Sequence, residues 1–259
     1  MPTSTSTGRQ LIWDLPTRVF HWALAGPFLG AYLLAEEDGS RNLHVMFGYT
    51  VAGLLVFRLL WGFVGSTHAR FHDFAYGPGA AVGYLRDLVR GRARDYDGHN
   101  PAGSWAIYAL LAVAAATALT GWLHYNGMGG ETFEEIHEVL ANAWLVMIAV
   151  HLAGVVVASL AHRRNLVASM ITGLRNGGSA VATDDAGSDP TPDRPSRPTG
   201  PRWALGSTLA VAVLGFWSWA VTTGGGSLLA GPEGESGHGE HAEFGDGAGP
   251  GRHEDEDDD

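Results

Sequence analysis

Five long apolar runs constrain this chain more than any other feature: Val19–Leu34, Val45–Val64, Trp105–Leu123, Val139–Leu160 and Trp203–Val221. A bilayer core of about 30 Å takes roughly 20 mostly apolar residues as a helix, and four of the runs meet that length. The first gains it if Leu15–Arg18 lie in the interface. In lipid every backbone N–H and C=O must be satisfied within the segment, so runs of this kind are helices rather than strands. The mean hydropathy of +0.02 is that of a soluble protein, because the polar residues are gathered between the runs. A soluble protein with five buried helices is the competing expectation, but the intervening polar stretches are too short to cover them.

Charge is sorted along the chain. All 16 basic residues are arginine, and 27 acidic residues bring the formal net charge to −11. Arg70, Arg86, Arg90, Arg92 and Arg94 lie between the second and third runs; Arg163, Arg164, Arg175, Arg194, Arg197 and Arg202 follow the fourth. The other side has Arg41 and Arg252 against Glu36, Glu37, Asp38, Glu131, Glu134, Glu135 and an acidic end. Loops retained in the cytoplasm are enriched in basic residues, so the N-terminus, with Arg9 and Arg18, is expected inside and the C-terminus outside. Arginines in short loops beside apolar helices do not form the broad face that nucleic acid requires. The absence of cysteine excludes disulfides, thiolate metal sites and cysteine-ligated iron–sulfur clusters. The opening MPTSTSTGRQLIWDLP has no apolar core before a small-residue cleavage site, so no signal peptide is expected.

The expected fold is an all-α membrane protein, a four-helix transmembrane bundle with a fifth transmembrane helix. Residues 1–14 form a cytoplasmic N-terminus, 15–175 the core, 176–201 a Gly/Ser/Pro/Asp linker, 202–223 the fifth helix and 224–259 a disordered acidic tail. Within the core, Pro78–Val89 is expected to be a surface helix.

Ionisable residues inside a membrane are costly and usually face a functional interior. Four histidines fall at such depths: His21, His44, His137 and His151. His137 and His151 are fourteen residues apart on the fourth run, about 21 Å along a helix and about 40° apart around it. One helix thereby offers an imidazole near each membrane surface on one side. By depth His137 is level with His44, and His151 is nearest to His21. Two stacked His–His pairs are what two six-coordinate haems require, with these four residues as axial iron ligands. His124 is a rival that could displace His44 or His137. His68, His72, His99 and His162 are expected to be solvated, His99 shaping the loop at GHNPAG.

Arg58 follows His44 by the same fourteen residues, which sets it at the level of the inner haem, where a propionate would be its anion. Arg18, three residues before His21, has the same prospect. Snorkelling to the surface is the other reading for both. Gly48, Ala141 and Gly154, close to the ligands in sequence, leave room either for a porphyrin or for close helix packing.

The segments WDLPTRVFHW, LHVMFGY, FRLLWGFVG, GHNPAG, ALTGWL and IHEVLANAWLVMIAVHLAGVVVASLAHRRNLVASMITG, in order over residues 11–175, resemble the bacterial cytochrome b561 / Ni,Fe-hydrogenase cytochrome b-subunit family. The resemblance implies a four-helix core holding two b haems, with ligands on the first, second and fourth helices at His21, His44, His137 and His151. It also implies a quinone site near one haem and a redox partner at the membrane surface, either a hydrogenase-like enzyme or a periplasmic c-type cytochrome. The fifth helix and its tail depart from the family pattern.

The tail, GESGHGEHAEFGDGAGPGRHEDEDDD, combines His238, His241 and His253 with carboxylates. A solvated terminus, a weak divalent-metal binder and an electrostatic lure for a basic cytochrome are its three readings. For the whole chain an electron conduit between quinone and a periplasmic protein stands first. A self-sufficient oxidoreductase acting on quinol or superoxide through the same haems stands second, and a haem-free membrane anchor third.

Overall fold

The computed structural model describes residues 9–35, 40–96, 98–176 and 202–222. The linker beyond residue 176, the acidic tail with its three histidines, and Glu36–Asp38 lie outside the described residues. Five long helices coincide with the apolar runs: α1 (Leu15–Leu33), α2 (Arg41–Val64), α4 (Pro101–Tyr125), α5 (Gly130–Ala161) and α7 (Arg202–Thr222). Two shorter helices complete the set, α3 (Pro78–Val89), at the bounds expected from sequence, and α6 (Leu166–Thr172).

Local chemistry sets the helix starts. Asp14 caps α1 by accepting from the Thr17 amide at 2.9 Å, with Pro16 in the first turn. Asn100 does the same for α4, its Oδ1 accepting from the Gly103 amide at 2.7 Å ahead of Pro101. The Asn–Pro of GHNPAG is therefore a helix start rather than a free turn.

Helices α2, α4 and α5 are long and apolar enough to cross a membrane. Helix α1 starts at Leu15 and gains the expected length at 19 residues, and α7 covers the fifth run over 21 residues. Pro16, Thr17, Arg18, His21 and Pro27 interrupt the apolar character of α1, and the apolar stretch of α7 is Ala204–Ala220. Val146, Val150, Leu152, Val156 and Leu160 of α5 are all more than half exposed, which in water would be an aggregating face and in lipid is solvated.

Phe28 of α1, Val51 and Leu55 of α2, Ala114 of α4 and Trp144 of α5 form one buried cluster, so these four helices share a core. The rings of Phe28 and Trp144 meet at 4.4 Å, and Tyr32 donates to Asn142 Oδ1 at 2.8 Å, joining α1 to α5. Thr117 and Thr120 return their hydroxyl protons to carbonyls one turn back on α4, so their polarity costs little in an apolar setting. The α1 start, the α2 end and the α5 end gather at one end of the bundle with Arg18 and Arg58; this is called the arginine-rich end below.

A small latch closes that end. Strand β1 (Arg9–Leu11) pairs antiparallel with β2 (Leu174–Asn176), and the amides of Ile12 and Trp13 both donate to the Gly173 carbonyl, at 2.9 and 3.2 Å. Gly173 has φ of +79°, and a Cβ there would lie 2.6 Å from the Trp13 carbonyl oxygen, so glycine is required on both counts. Asp95 accepts from Arg164 at 2.7 Å and Arg175 at 2.8 Å, tying the ribbon to the loop before α4. Replacing Asp95 by Asn should cost about 1 kcal/mol, as for a partly exposed ion-pair network. Hydrogen exchange at the Ile12 and Trp13 amides should rise first; unchanged protection there would show the ribbon holds without the ion pairs.

Candidate functional site

Two histidine pairs occupy opposite ends of the bundle. His44, in the first turn of α2, and His137, in the third turn of α5, face each other with ring centroids 6.0 Å apart and planes at 79°. Each ring is held from behind. His44 Nδ1 lies 2.8 Å from the Ala31 carbonyl oxygen, and His137 Nδ1 lies 2.9 Å from that of Thr117. A carbonyl oxygen accepts, so both Nδ1 atoms carry the proton and both Nε2 atoms keep a free lone pair.

These carbonyls are available for definite reasons. Ala31 is near the end of α1, where the Ala35 amide turns to Tyr32 at 3.4 Å instead of closing the helical bond to Ala31. Thr117 lies within α4, and access comes from Gly121 one turn on: a Cβ at Gly121 would be 2.7 Å from His137 Cε1 and 2.9 Å from Nδ1. Sequence reasoning missed Ala31, Thr117 and Gly121. Only the glycine left a trace, within the ALTGWL segment. His124, the rival, has Nδ1 3.5 Å from the Gly130 carbonyl and is near enough to His137 to interact electrostatically.

The second pair is His21 of α1 and His151 of α5. They are electrostatic neighbours, His21 packs edge-on to Trp22 at 5.0 Å, and its Nδ1 is buried without a partner. His137 and His151 share the unbroken helix α5, so about 21 Å of axial rise separates the two levels.

Among the described residues, seven buried side-chain nitrogen or oxygen atoms have no hydrogen-bond partner: Asp14 Oδ2, Thr17 Oγ1, Arg18 Nε, His21 Nδ1, Arg58 Nη1, Trp61 Nε1 and His99 Nδ1. All seven belong to the start of α1, the end of α2 or the start of α4, at the arginine-rich end. Buried polar atoms are rarely left unsatisfied, and this concentration marks a place built for a polar ligand group. Arg58 is only 4% exposed, with its guanidinium 4.7 Å over the Phe71 ring. It does not snorkel. Arg18 sends Nη1 to the Ile171 carbonyl at 2.7 Å, so part of its donor capacity serves the latch.

One sequence expectation needs correction. His99 is not solvated: it packs against Trp13 at 4.6 Å and Phe74 at 4.4 Å. Burial, with the charges of Arg58, His68 and His151 second, pushes its imidazole down to about 3. Gly48 and Gly154 have no heavy atom within 4 Å of a Cβ position, so neither makes a close helix contact. Of the other loop histidines, His72 is 70% exposed beside Asp73, and His162 lies 3.3 Å from the Tyr84 hydroxyl.

A helical membrane protein whose bundle carries a facing, backbone-tethered histidine pair at one end and a second pair near the other has the layout of a membrane cytochrome. Residues 12–173 match the sequence profile of prokaryotic cytochrome b561, and the chain belongs to that family. It is 26% identical over 212 residues to a probable Ni/Fe-hydrogenase B-type cytochrome subunit of Rhizobium leguminosarum bv. viciae, covering 63% of this chain and 87% of the relative. Proteins of the same description from Azotobacter vinelandii and Rhodobacter capsulatus are each 24% identical, over 63% of this chain and 87% and 80% of their own lengths. No solved structure matches the chain.

The family implies haem b, and the residues fit it. With metal–imidazole bonds of about 2 Å, two rings on opposite sides of one iron have centroids roughly 6 Å apart, the spacing of His44 and His137. Nδ1–H donation to a backbone carbonyl is the usual outer support of a metal-bound imidazole.

Two outcomes follow. Gly121→Ala should push His137 off the Thr117 carbonyl and lower bound haem, while Gly53→Ala, with nothing within 4 Å, should leave it unchanged; pyridine haemochrome assays measure both. For His99 the unfolded value is 6.5 and the folded one about 3, so between them the unfolded chain holds a proton that the folded one does not. Stability is full above 6.5 and falls as pH drops toward 3. The loss of thermal stability between pH 7 and 4.5 should be smaller in His99→Gln; an equal loss would place the acid sensitivity elsewhere.

Proposed function

We propose that the chain carries electrons across a bacterial inner membrane on two b haems, one held by His44 and His137 and the other by His21 and His151. It links the quinone pool to a redox protein on the outer side. The observation that carries this reading is the His44–His137 pair, facing at 6.0 Å with each Nδ1 committed to a backbone carbonyl. Haem supplies a one-electron iron centre. His44 with His137 and His21 with His151 would hold it two to an iron, which would leave no coordination site for substrate and favour electron transfer over oxygen chemistry. The spacing along α5 sets one centre near each membrane surface.

Arg58 supports the inner assignment. A cation 4% exposed with an unpartnered Nη1 calls for an anion, and haem propionates supply one at its level. Asp14 is within electrostatic reach of Arg58, yet the two form no ion pair among the described residues. Arg18 keeps an unpartnered Nε for the same role.

In this reading α1, α2, α4 and α5 are the transmembrane haem core and α7 a fifth crossing. Arg70, Arg86, Arg90, Arg92, Arg94, Arg163, Arg164 and Arg175 at one end support a cytoplasmic location for it, which puts His44 and His137 on the periplasmic side in this reading. The outer partner is a hydrogenase-like enzyme, as the names of the relatives indicate, or a c-type cytochrome. The glutamates Glu131, Glu134, Glu135 and Glu138 beside His137 are exposed and suit a basic docking face.

Purified wild-type protein should bind two haems per chain. His21→Ala and His44→Ala should each remove one and leave the other reducible; retention of both in either variant would sink the assignment. Arg58→Leu should lower the potential of the inner haem alone by roughly tens of millivolts, the scale of one partly screened charge. An unmoved potential would mean Arg58 has no cofactor role.

A further inference from the structure

Helix α7 begins beyond the residues that match the family, which end at 173. It packs on α1. At its start Gly206 seats against the α1 N-terminus, where a Cβ would lie 2.8 Å from Leu15 Cγ and 3.0 Å from the Pro16 nitrogen. Eleven residues on, the Trp217 indole meets the Phe47 ring of α2 at 4.8 Å with planes at 50°. The helix therefore runs parallel to α1 and reaches the level of His44.

What Phe47 does there gives the contact meaning. Its ring fills a notch in α1 left by Gly30: a Cβ at Gly30 would be 2.6 Å from Phe47 Cζ and 2.7 Å from Cε2. The next residue, Ala31, provides the carbonyl that receives the His44 Nδ1–H at 2.8 Å. His44 and Phe47 are three residues apart, one turn of α2, so one helix grips two consecutive residues of the other. That stretch is the last turn of α1, where the Ala31 carbonyl has lost its helical donor and helices fray. The Ala31 carbonyl can aim the His44 imidazole only if this turn is held still. Trp217 packs on the same Phe47 ring.

We propose that α7 is a positioning element for the His44–His137 haem, with Trp217 clamping Phe47 in the Gly30 notch and so fixing the Ala31 carbonyl that orients His44. The inference rests on the reading of His44 as an axial ligand. Trp217 touches no reacting atom. Its effect passes through Phe47, Gly30 and Ala31 to the tilt and hydrogen bonding of one imidazole, and these set the potential and the electronic structure of the bound iron.

The test compares full-length wild type with Trp217→Leu, Trp217→Phe and Phe47→Leu by electron paramagnetic resonance of the oxidised haems and by potentiometric titration. The leucine at 217 keeps an apolar helix surface but removes the ring. The expected result is two haems retained, a shifted low-spin signal and potential for the His44–His137 haem alone, and values restored toward wild type in Trp217→Phe. Phe47→Leu should reproduce the shift, and the double variant should add nothing to it. Unmoved signals in Trp217→Leu, equal shifts in both haems, or additive effects in the double variant would each overturn the proposal. Should Trp217→Leu fail to yield protein, Trp217→Met, which also removes the ring, takes its place. The ligand reading is checked separately: if His44→Ala keeps both haems, that reading has failed, whereas loss of one haem there with silent Trp217 variants defeats only the role of α7.

Discussion

Two hydrogen bonds from imidazole to backbone organise the best-defined part of this molecule. In a bilayer a buried N–H cannot turn to water, so His44 and His137 must each find an acceptor within the protein, and each finds a carbonyl on a neighbouring helix. Satisfying Nδ1 in this way settles the tautomer and leaves Nε2 directed elsewhere. Two unrelated devices free the acceptors: the end of α1 releases the Ala31 carbonyl, and Gly121 clears the approach to Thr117. Fixing those carbonyls requires α1, α2, α4 and α5 to stand in one register, and the shared core of Phe28, Val51, Leu55, Ala114 and Trp144 supplies it.

The arginine-rich end follows a different logic. There some polar atoms are satisfied by their neighbours and others are not. Among the described residues, seven buried atoms without partners, one of them on an arginine almost wholly removed from solvent, would be an expensive arrangement if the protein alone had to meet it. Their concentration beside His21 makes physical sense as preorganisation for the charged edge of a cofactor. The β-ribbon and the Asp95 ion pairs close over this end, holding the α1 start and the α6 end together around it.

Much of this was legible in the sequence, for reasons that can be named. Apolar runs marked all five long helices because lipid allows little else, and an apolar stripe with a proline start marked Pro78–Val89. The fourteen-residue interval between His137 and His151 is a property of helix geometry, so their common helix and the level facing of His137 with His44 could be expected from spacing. What escaped was tertiary. A backbone carbonyl carries no sequence signature, so Ala31 and Thr117 were invisible. His99 reads as a loop residue until Trp13 and Phe74 are brought to either side of it. The ribbon of Arg9–Leu11 with Leu174–Asn176 joins segments more than 160 residues apart, and three-residue strands have no periodicity to detect. The seat of α7 on α1 depends on Gly206, one glycine among 37.

The proposed electron path needs two separate bis-histidine centres in one chain. Full-length protein purified in mild detergent, with its haem content counted against protein mass and its spin state read in the oxidised form, tests this most directly. Two haems per chain, both six-coordinate and low-spin, are predicted. A single haem, or a high-spin centre with an open axial position, would contradict it.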